Sequence, residues 1–166
     1  MWRKEDVMLR TLRVYVAGAW TEQHERARPM IARLRKEGIV ITQDWTVFES
    51  ERVGVGDSDL SAHERFSYAT ADLDGIQRAD LVWLLAENDK GACGSWVELG
   101  AAIMLRRVRD RLRAAIPQLY VDNGPIVVVS GAKRARSIFT ELCDKTFDSD
   151  SDALLWIIVE SKGTNR

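Results

Sequence analysis

Two acids and a phenol stand where chemistry would be easiest to do. Gly94-Ser95-Trp96-Val97-Glu98-Leu99-Gly100-Ala101-Ala102 directly follows Leu81-Val82-Trp83-Leu84-Leu85, which reads as a buried strand. A strand, a loop with two glycines and a helix opening with an acid place the Glu98 carboxylate at the C-terminal edge of a parallel sheet. Open α/β folds bind their ligands at that edge. A helix N-terminus also favours an ionised carboxylate, the form a nucleophile needs. The same residues fit a plainer role, because Ser95-Trp96-Val97-Glu98 has capping-box spacing, with Glu98 bonding back to a Ser95 cap. Asp72 is the second acid, in Ala71-Asp72-Leu73-Asp74-Gly75-Ile76. Leu73 and Ile76 are expected to face the core, with Asp72 on a neighbouring face either in a site or simply solvated. Tyr15 and Trp20 flank the end of the first strand, and Trp45 follows the second. Any of the three can line a pocket or fill a core, and Trp45 can equally anchor a lid.

Other chemistries fit less well. Gly18-Ala19-Trp20 has the look of a phosphate-cradling turn, yet G-x-G-x-x-G is absent, so a dinucleotide fingerprint is not supported. Cys93 beside Gly94 lies near a helix start, which lowers a thiol pKa, but no histidine is nearby in sequence to make it a thiol enzyme. Two cysteines and two histidines make neither a disulfide framework nor a zinc site. The expectation is a protein without metal or cofactor.

The elements that must position these residues alternate strand and helix, predicting a mostly parallel sheet with helices on both faces. Leu12–Ala17 is the first strand, ending at Gly18. A helix beginning near Pro29 carries Ile31 and Leu34 inward and ends at Gly38. Ile39–Thr42 is the second strand. Trp45–Leu60 has turn residues and no period, as a long functional loop would, with Gly54 and Gly56 as hinges. Ser61-Ala62-His63-Glu64 has capping-box spacing and opens a helix through Ile76. Leu81–Leu85 follows, then the Glu98 helix to about Arg107. The arginine run Arg106–Arg113 reads as a solvated helix end. Ile126–Val129 is the fourth strand, Ile138–Leu142 a short helix, Lys145–Phe147 a fifth strand and Asp150–Glu160 the last helix. The Glu98 helix is apolar nearly all round over Leu99–Leu105, which suits burial on more than one side.

The 166 residues are 46% hydrophobic and 30% charged, which suits one ordinary globular domain spanning 1–166. A net charge of −1 gives no general attraction to nucleic acid or to an anionic membrane. No apolar run approaches the roughly 20 residues of a membrane span. The charged start Met1-Trp2-Arg3-Lys4-Glu5-Asp6 lacks a signal peptide's apolar stretch. A cytoplasmic location is expected.

Taken together, three segments resemble the nucleoside 2-deoxyribosyltransferase family and its nucleotide N-glycosidase relatives. Val14-Tyr15-Val16-Ala17-Gly18-Ala19-Trp20 is similar to the family's first strand and turn. Asp72-Leu73-Asp74-Gly75-Ile76, followed by Ala79-Asp80-Leu81-Val82, resembles its Asp-x-x-Gly-Ile motif. Gly94–Ala102 resembles its Glu-Leu-Gly segment. The resemblance implies a three-layer α/β sandwich with a mostly parallel, five-stranded, flavodoxin- or Rossmann-like sheet. It also implies a retaining reaction at the anomeric carbon of a nucleoside or nucleotide, with a free base or water as acceptor. Glu98 would be the nucleophile, Asp72 would protonate or orient the leaving base, and Tyr15 would hold Glu98. Trp20 and Trp45 would wall the site, with Gly18, Asp89, Gly94 and Ser95 as further substrate-binding positions. The family's sites are completed across a subunit interface, which implies a homodimer or larger homo-oligomer.

The sequence also departs from the family. Transferases carry an acid in the loop before the glutamate, where this chain has Ala92 and, nearest, Asp89. Their asparagine-bearing tail has no counterpart in Lys162-Gly163-Thr164-Asn165-Arg166, and the relatives' phosphate-binding serine and arginine have none in Ala19-Trp20-Thr21. These departures leave open transfer against hydrolysis, nucleoside against monophosphate, and a non-catalytic nucleoside-binding or sensing domain of the same fold.

Overall fold

The computed structural model describes residues 11–19, 23–47, 60–86, 93–118, 122–131 and 137–163. Five strands make one parallel sheet: β1 Arg13–Ala17, β2 Val40–Ile41, β3 Leu81–Leu85, β4 Ile126–Ser130 and β5 Lys145–Phe147. Their spatial order is β2-β1-β3-β4-β5. The α-helices of the described residues are α1 Arg28–Lys36, α2 Ala62–Arg78, α3 Cys93–Ala115 and α4 Asp150–Gly163. The chain runs outward from β1 to β2, then returns across β1 to β3 and β4. Right-handed crossovers therefore put α1 on one face and α2 and α3 on the other. Helices α2 and α3 pack together, as do α1 and α4, giving the expected three layers. The reversal between β1 and β3 is the switch point at whose carboxyl ends open α/β sheets bind their ligands.

Helices on both faces explain why the inner strands are apolar runs without alternation. Val14–Ala17, Leu81–Leu85 and Val127–Val129 are at most 2% exposed. In β1 the partners Tyr15↔Val82 and Ala17↔Leu84 share one face of the sheet. Tyr15 thereby projects toward α2 and α3, while Val14 and Val16 project toward α1 and α4.

Local signals mostly act as read. Pro29 sits in the first turn of α1, and Gly38 ends that helix with φ of 81°, donating its N–H to Arg35 O at 3.0 Å. The capping box of α2 is complete, with Ser61 N to Glu64 Oε2 at 2.9 Å and Glu64 N to Ser61 Oγ at 3.2 Å. Between β1 and α1 a wide π-type turn, Gln23–Ala27, was not foreseen. Helix α3 runs on to Ala115 instead of ending near Arg107, so the arginine run lies within it. Two of these arginines fasten the helix to its neighbours. Arg106 pairs with Asp144 and donates to Leu142 O at 2.9 Å, and Arg109 bonds Asn123 O and Gln77 O at 3.1 and 3.2 Å. No helix of the described residues is long and apolar enough to cross a membrane.

Candidate functional site

The site forms where β1, α2 and α3 meet. Tyr15 is fully buried, and its hydroxyl donates a hydrogen bond of 2.8 Å to Glu98 Oε1. Glu98 is half-buried in the second turn of α3, which starts at Cys93. This start corrects the capping-box reading, because Ser95 lies inside the helix, buried to 4% exposure, and cannot be its N-cap. Glu98 is a group facing the sheet and not a cap.

Asp72 arrives from α2 on a face set by the next turn. Gly75 and Ile76 are buried while Leu73 is 49% exposed, so the inward stripe is Asp72, Gly75, Ile76 and Ala79. The expectation that Leu73 faces the core is thus corrected. What turns the helix this way is the Tyr15 ring against Gly75. A Cβ at Gly75 would come within 3.0 and 3.1 Å of two Tyr15 ring carbons and within 2.5 Å of Gln43 Cβ. The glycine of Asp72-x-x-Gly75 therefore brings the helix onto the ring, and the acid three residues earlier arrives beside the phenol. Asp72 lies close enough for the Tyr15 hydroxyl to stabilise its carboxylate, although only the Glu98 contact has the full geometry of a hydrogen bond.

No cation among the described residues balances this pair. Among the described residues neither Asp72 nor Glu98 has an ion pair, and no Lys, Arg or His affects their ionisation. Burial raises the Glu98 pKa to about 8, with the Asp72 charge adding to the rise and the Tyr15 hydrogen bond opposing it. Burial likewise raises Asp72 to about 6 against the same hydroxyl. Tyr15 is pushed well above the usual phenol range by burial, then by the Glu98 and Asp72 charges. Two carboxyl groups coupled through one hydroxyl titrate as a unit. Such a site favours one shared proton and one negative charge, which suits paired nucleophile and acid work.

The remaining sequence candidates separate. Trp45 is buried to 7% exposure, and its indole N–H donates to Val16 O at 2.7 Å, so it anchors the end of β1. Gly18 lies on that indole, where a Cβ would be 3.4 Å from Trp45 Cζ2. Gly94 faces open space, with nothing within 4 Å of where a Cβ would be. Trp20, Asp89 and the hinge glycines Gly54 and Gly56 lie outside the described residues. Of the loop Trp45–Leu60, the first turn Trp45–Val47 is described.

Two residues escaped the sequence reading. Gly75 carried a signal inside the motif but no stated task. Gln43 sits just beyond β2, against the place a Gly75 Cβ would fill, and its Nε2 is buried with no hydrogen-bond partner among the described residues. Its position at a strand's carboxyl end was the available clue. Among the described residues, no group of three His, Cys, Asp or Glu side chains is arranged to hold a metal ion.

Comparison with known proteins supports the architecture. A 2-deoxyribosyltransferase from the psychrotolerant bacterium Bacillus psychrosaccharolyticus superposes with a TM-score of 0.58 at 19% identity, covering 86% of this chain and 90% of that one. That protein is described as a biocatalyst for the synthesis of antiviral and antitumoral nucleosides. The likeness shows a shared fold. No family profile matches the chain, and no curated protein matches it.

Proposed function

We propose that this protein cleaves the N-glycosidic bond of a (2-deoxy)nucleoside or nucleotide through a glycosyl-Glu98 intermediate and passes the sugar to another base or to water. The observation that carries the reading is the 2.8 Å hydrogen bond from the Tyr15 hydroxyl to Glu98, with Asp72 near enough to influence the same phenol. In the first step a Glu98 oxygen bonds to C1′ as the C1′–N bond breaks. The bond's electrons leave with the base, and Asp72 supplies a proton to it. In the second step the acceptor's nitrogen or a water attacks C1′, Asp72 takes its proton, and Glu98 departs as carboxylate. Two displacements retain configuration. Tyr15 fixes which Glu98 oxygen faces the sugar, and the Gln43 amide, without a hydrogen-bond partner among the described residues, offers a donor to the base.

A second reading, a nucleoside-binding domain without turnover, is favoured by one observation. Burial raises the Glu98 pKa to about 8, and a neutral carboxyl is no nucleophile. One experiment separates the two. The chain is incubated with deoxynucleosides and their monophosphates, with and without an acceptor base, and chromatography looks for free base. Release that disappears in Glu98→Ala supports the enzyme; binding without release supports the sensor.

We further propose that the chain forms a homodimer or larger homo-oligomer through α2 and α3. Val97, Met104 and Val108 on α3 and Phe66 and Leu73 on α2 are 46 to 71% exposed. Exposed apolar groups on two packed helices suit a partner surface. A monomeric mass by light scattering at micromolar concentration would count against it.

A further inference from the structure

We infer that Arg26 is a positioning residue: gripped by Asp150, its guanidinium fixes the exit of β3 and, through it, the start of the helix that carries Glu98. The inference rests on the N-glycosidase reading and adds to it a network on the other face of the sheet. Tyr15 and its partner Val82 project toward α2 and α3, so the next residue of β3, Trp83, projects toward α1 and α4.

The network is built one donor at a time. Trp83 is fully buried, and its indole N–H, which can only donate, goes to Ser130 Oγ at 3.0 Å. The Ser130 hydroxyl is thereby left to donate, and it does so to Oδ1 of Asp150, the first residue of α4. Arg26, in the π-type turn before α1, takes that carboxylate in a two-pronged pair. Its Nε reaches Oδ2 at 2.9 Å and its NH2 reaches Oδ1 at 3.0 Å. A guanidinium is planar, so this grip fixes the heading of its remaining nitrogen. That nitrogen, NH1, donates to Ala86 O at 3.3 Å.

Ala86 is the first residue beyond β3, and little of it can move. Its N–H donates to Ser130 O at 2.9 Å, and its carbonyl accepts from Arg26. Gly131 closes on the same carbonyl, where a Cβ would stand only 3.0 Å away, and its φ of 73° suits glycine. The rest of α3 is fastened differently. Arg106 and Arg109 tie its later turns to Asp144, Leu142, Gln77 and Asn123. Among the described residues, the side-chain hydrogen bond to its early turns is the one from Tyr15 to Glu98. The early turns therefore depend on core packing of Leu99, Ala102 and Ile103 and on where the chain leaves β3. A shift at Ala86 reaches Glu98 before it reaches the arginine-tied half.

Arg26→Gln in the full chain tests this, because it keeps much of the stem and removes the two-pronged grip. Backbone hydrogen exchange should quicken over Val97–Ile103 and stay as in the wild type over Arg107–Ala115. Single-turnover base release from saturating 2′-deoxynucleoside should fall at least about tenfold, with substrate affinity unchanged, since small misplacements of a reacting group are costly. Arg26→Lys, a single point donor, should recover little of the rate. Guanidinium ion added to Arg26→Ala at millimolar concentration should recover much of it, and ammonium none. Asp80→Ala, which cuts an arginine pair at the opposite edge, is the control for lost stability and should change neither exchange over Val97–Ile103 nor release. Should Arg26→Gln not fold, Ser130→Ala removes one support of Asp150 and should give the same pattern in smaller measure. Unchanged release from a folded variant overturns the inference. So does exchange that quickens evenly along α3, or weaker substrate binding at an unchanged rate. A wild type that releases no base from any nucleoside overturns the N-glycosidase reading instead, and the exchange pattern then decides alone whether Arg26 holds the start of α3.

Discussion

Two pairs of acids, one at each edge of the sheet, are treated in opposite ways. At the amino edge, Asp80 before β3 takes Arg13 NH2 and Nε at 2.7 and 3.0 Å and the Arg13 backbone N–H at 3.0 Å. Asp144 before β5 pairs with Arg106 and accepts the Val127 N–H at 2.7 Å. Each acid ties two strands together and has a guanidinium to balance it. At the carboxyl edge, Asp72 and Glu98 share one phenol and have no cation among the described residues. The difference teaches where the fold tolerates electrostatic cost. Stability alone would favour pairing or removing these carboxyls, and strongly perturbed acids without a structural partner mark functional sites.

Removing the nucleophile should break the contrast most severely. Glu98→Gln should lower base release by several orders of magnitude, because a covalent route closes and groups that act as one unit fail together. It should not lower Tm, since a buried carboxyl is replaced by an amide of the same shape that can still accept from Tyr15. Near-normal turnover with a lower Tm would put Glu98 with the framework acids. Asp72→Asn should follow, slowing poor leaving bases by about 10²- to 10⁴-fold and activated ones far less. A loss independent of the leaving base would assign Asp72 to positioning alone.

Gly75→Ala tests how the two acids are brought together. The added methyl meets Gln43 Cβ at 2.5 Å and the Tyr15 ring at 3.0 Å, so α2 must withdraw or the ring must shift. Overpacking of this kind costs about 1–3 kcal/mol. Base release should drop roughly tenfold or more, since an ångström of misplacement can cost about a hundredfold. An unaltered rate would mean that Asp72 does not depend on the packing of the Tyr15 ring.

Much of this was legible in the chain. Apolar runs such as Leu81–Leu85 announced buried parallel strands, and Ser61 with Glu64 announced the start of α2. The acids and the phenol could be singled out as Glu98, Asp72 and Tyr15. Their meeting followed from the family resemblance and not from the residues alone, because it depends on which face of α2 turns inward. Leu73 looked like a core residue by hydrophobicity, yet packing between Gly75 and the Tyr15 ring overrides that and points it to solvent. Ser95 likewise had cap spacing, but α3 starts at Cys93, two residues before it. Trp45 illustrates the limit of composition, since a wall and an anchor have the same residue type. Only the bond from its indole to Val16 O shows that it fastens the end of β1.

The smallest effect on turnover belongs to the amino edge, where it sharpens the comparison through pH. Asp80→Ala removes hydrogen bonds to a charged partner and should cost about 2 kcal/mol of stability, with base release by the folded protein unchanged. The site acids should give the opposite signature. Asp72 and Glu98 have folded pKa values near 6 and 8, above their ordinary carboxyl values. Their protonated forms therefore favour the folded state, and this contribution is fully present below the unfolded pKa values near 4. It is lost as pH rises through about 6 and then 8, because the unfolded chain has already given up protons that the folded site retains. Thermal melts of the wild type from pH 5 to 8 should show Tm falling in that window, and the double variant Asp72→Asn, Glu98→Gln should flatten the slope. Asp80→Ala should lower Tm across the window and leave the slope standing. If the double variant keeps the full slope, the proton-linked strain lies elsewhere, and the carboxyl edge is no different in kind from the amino edge.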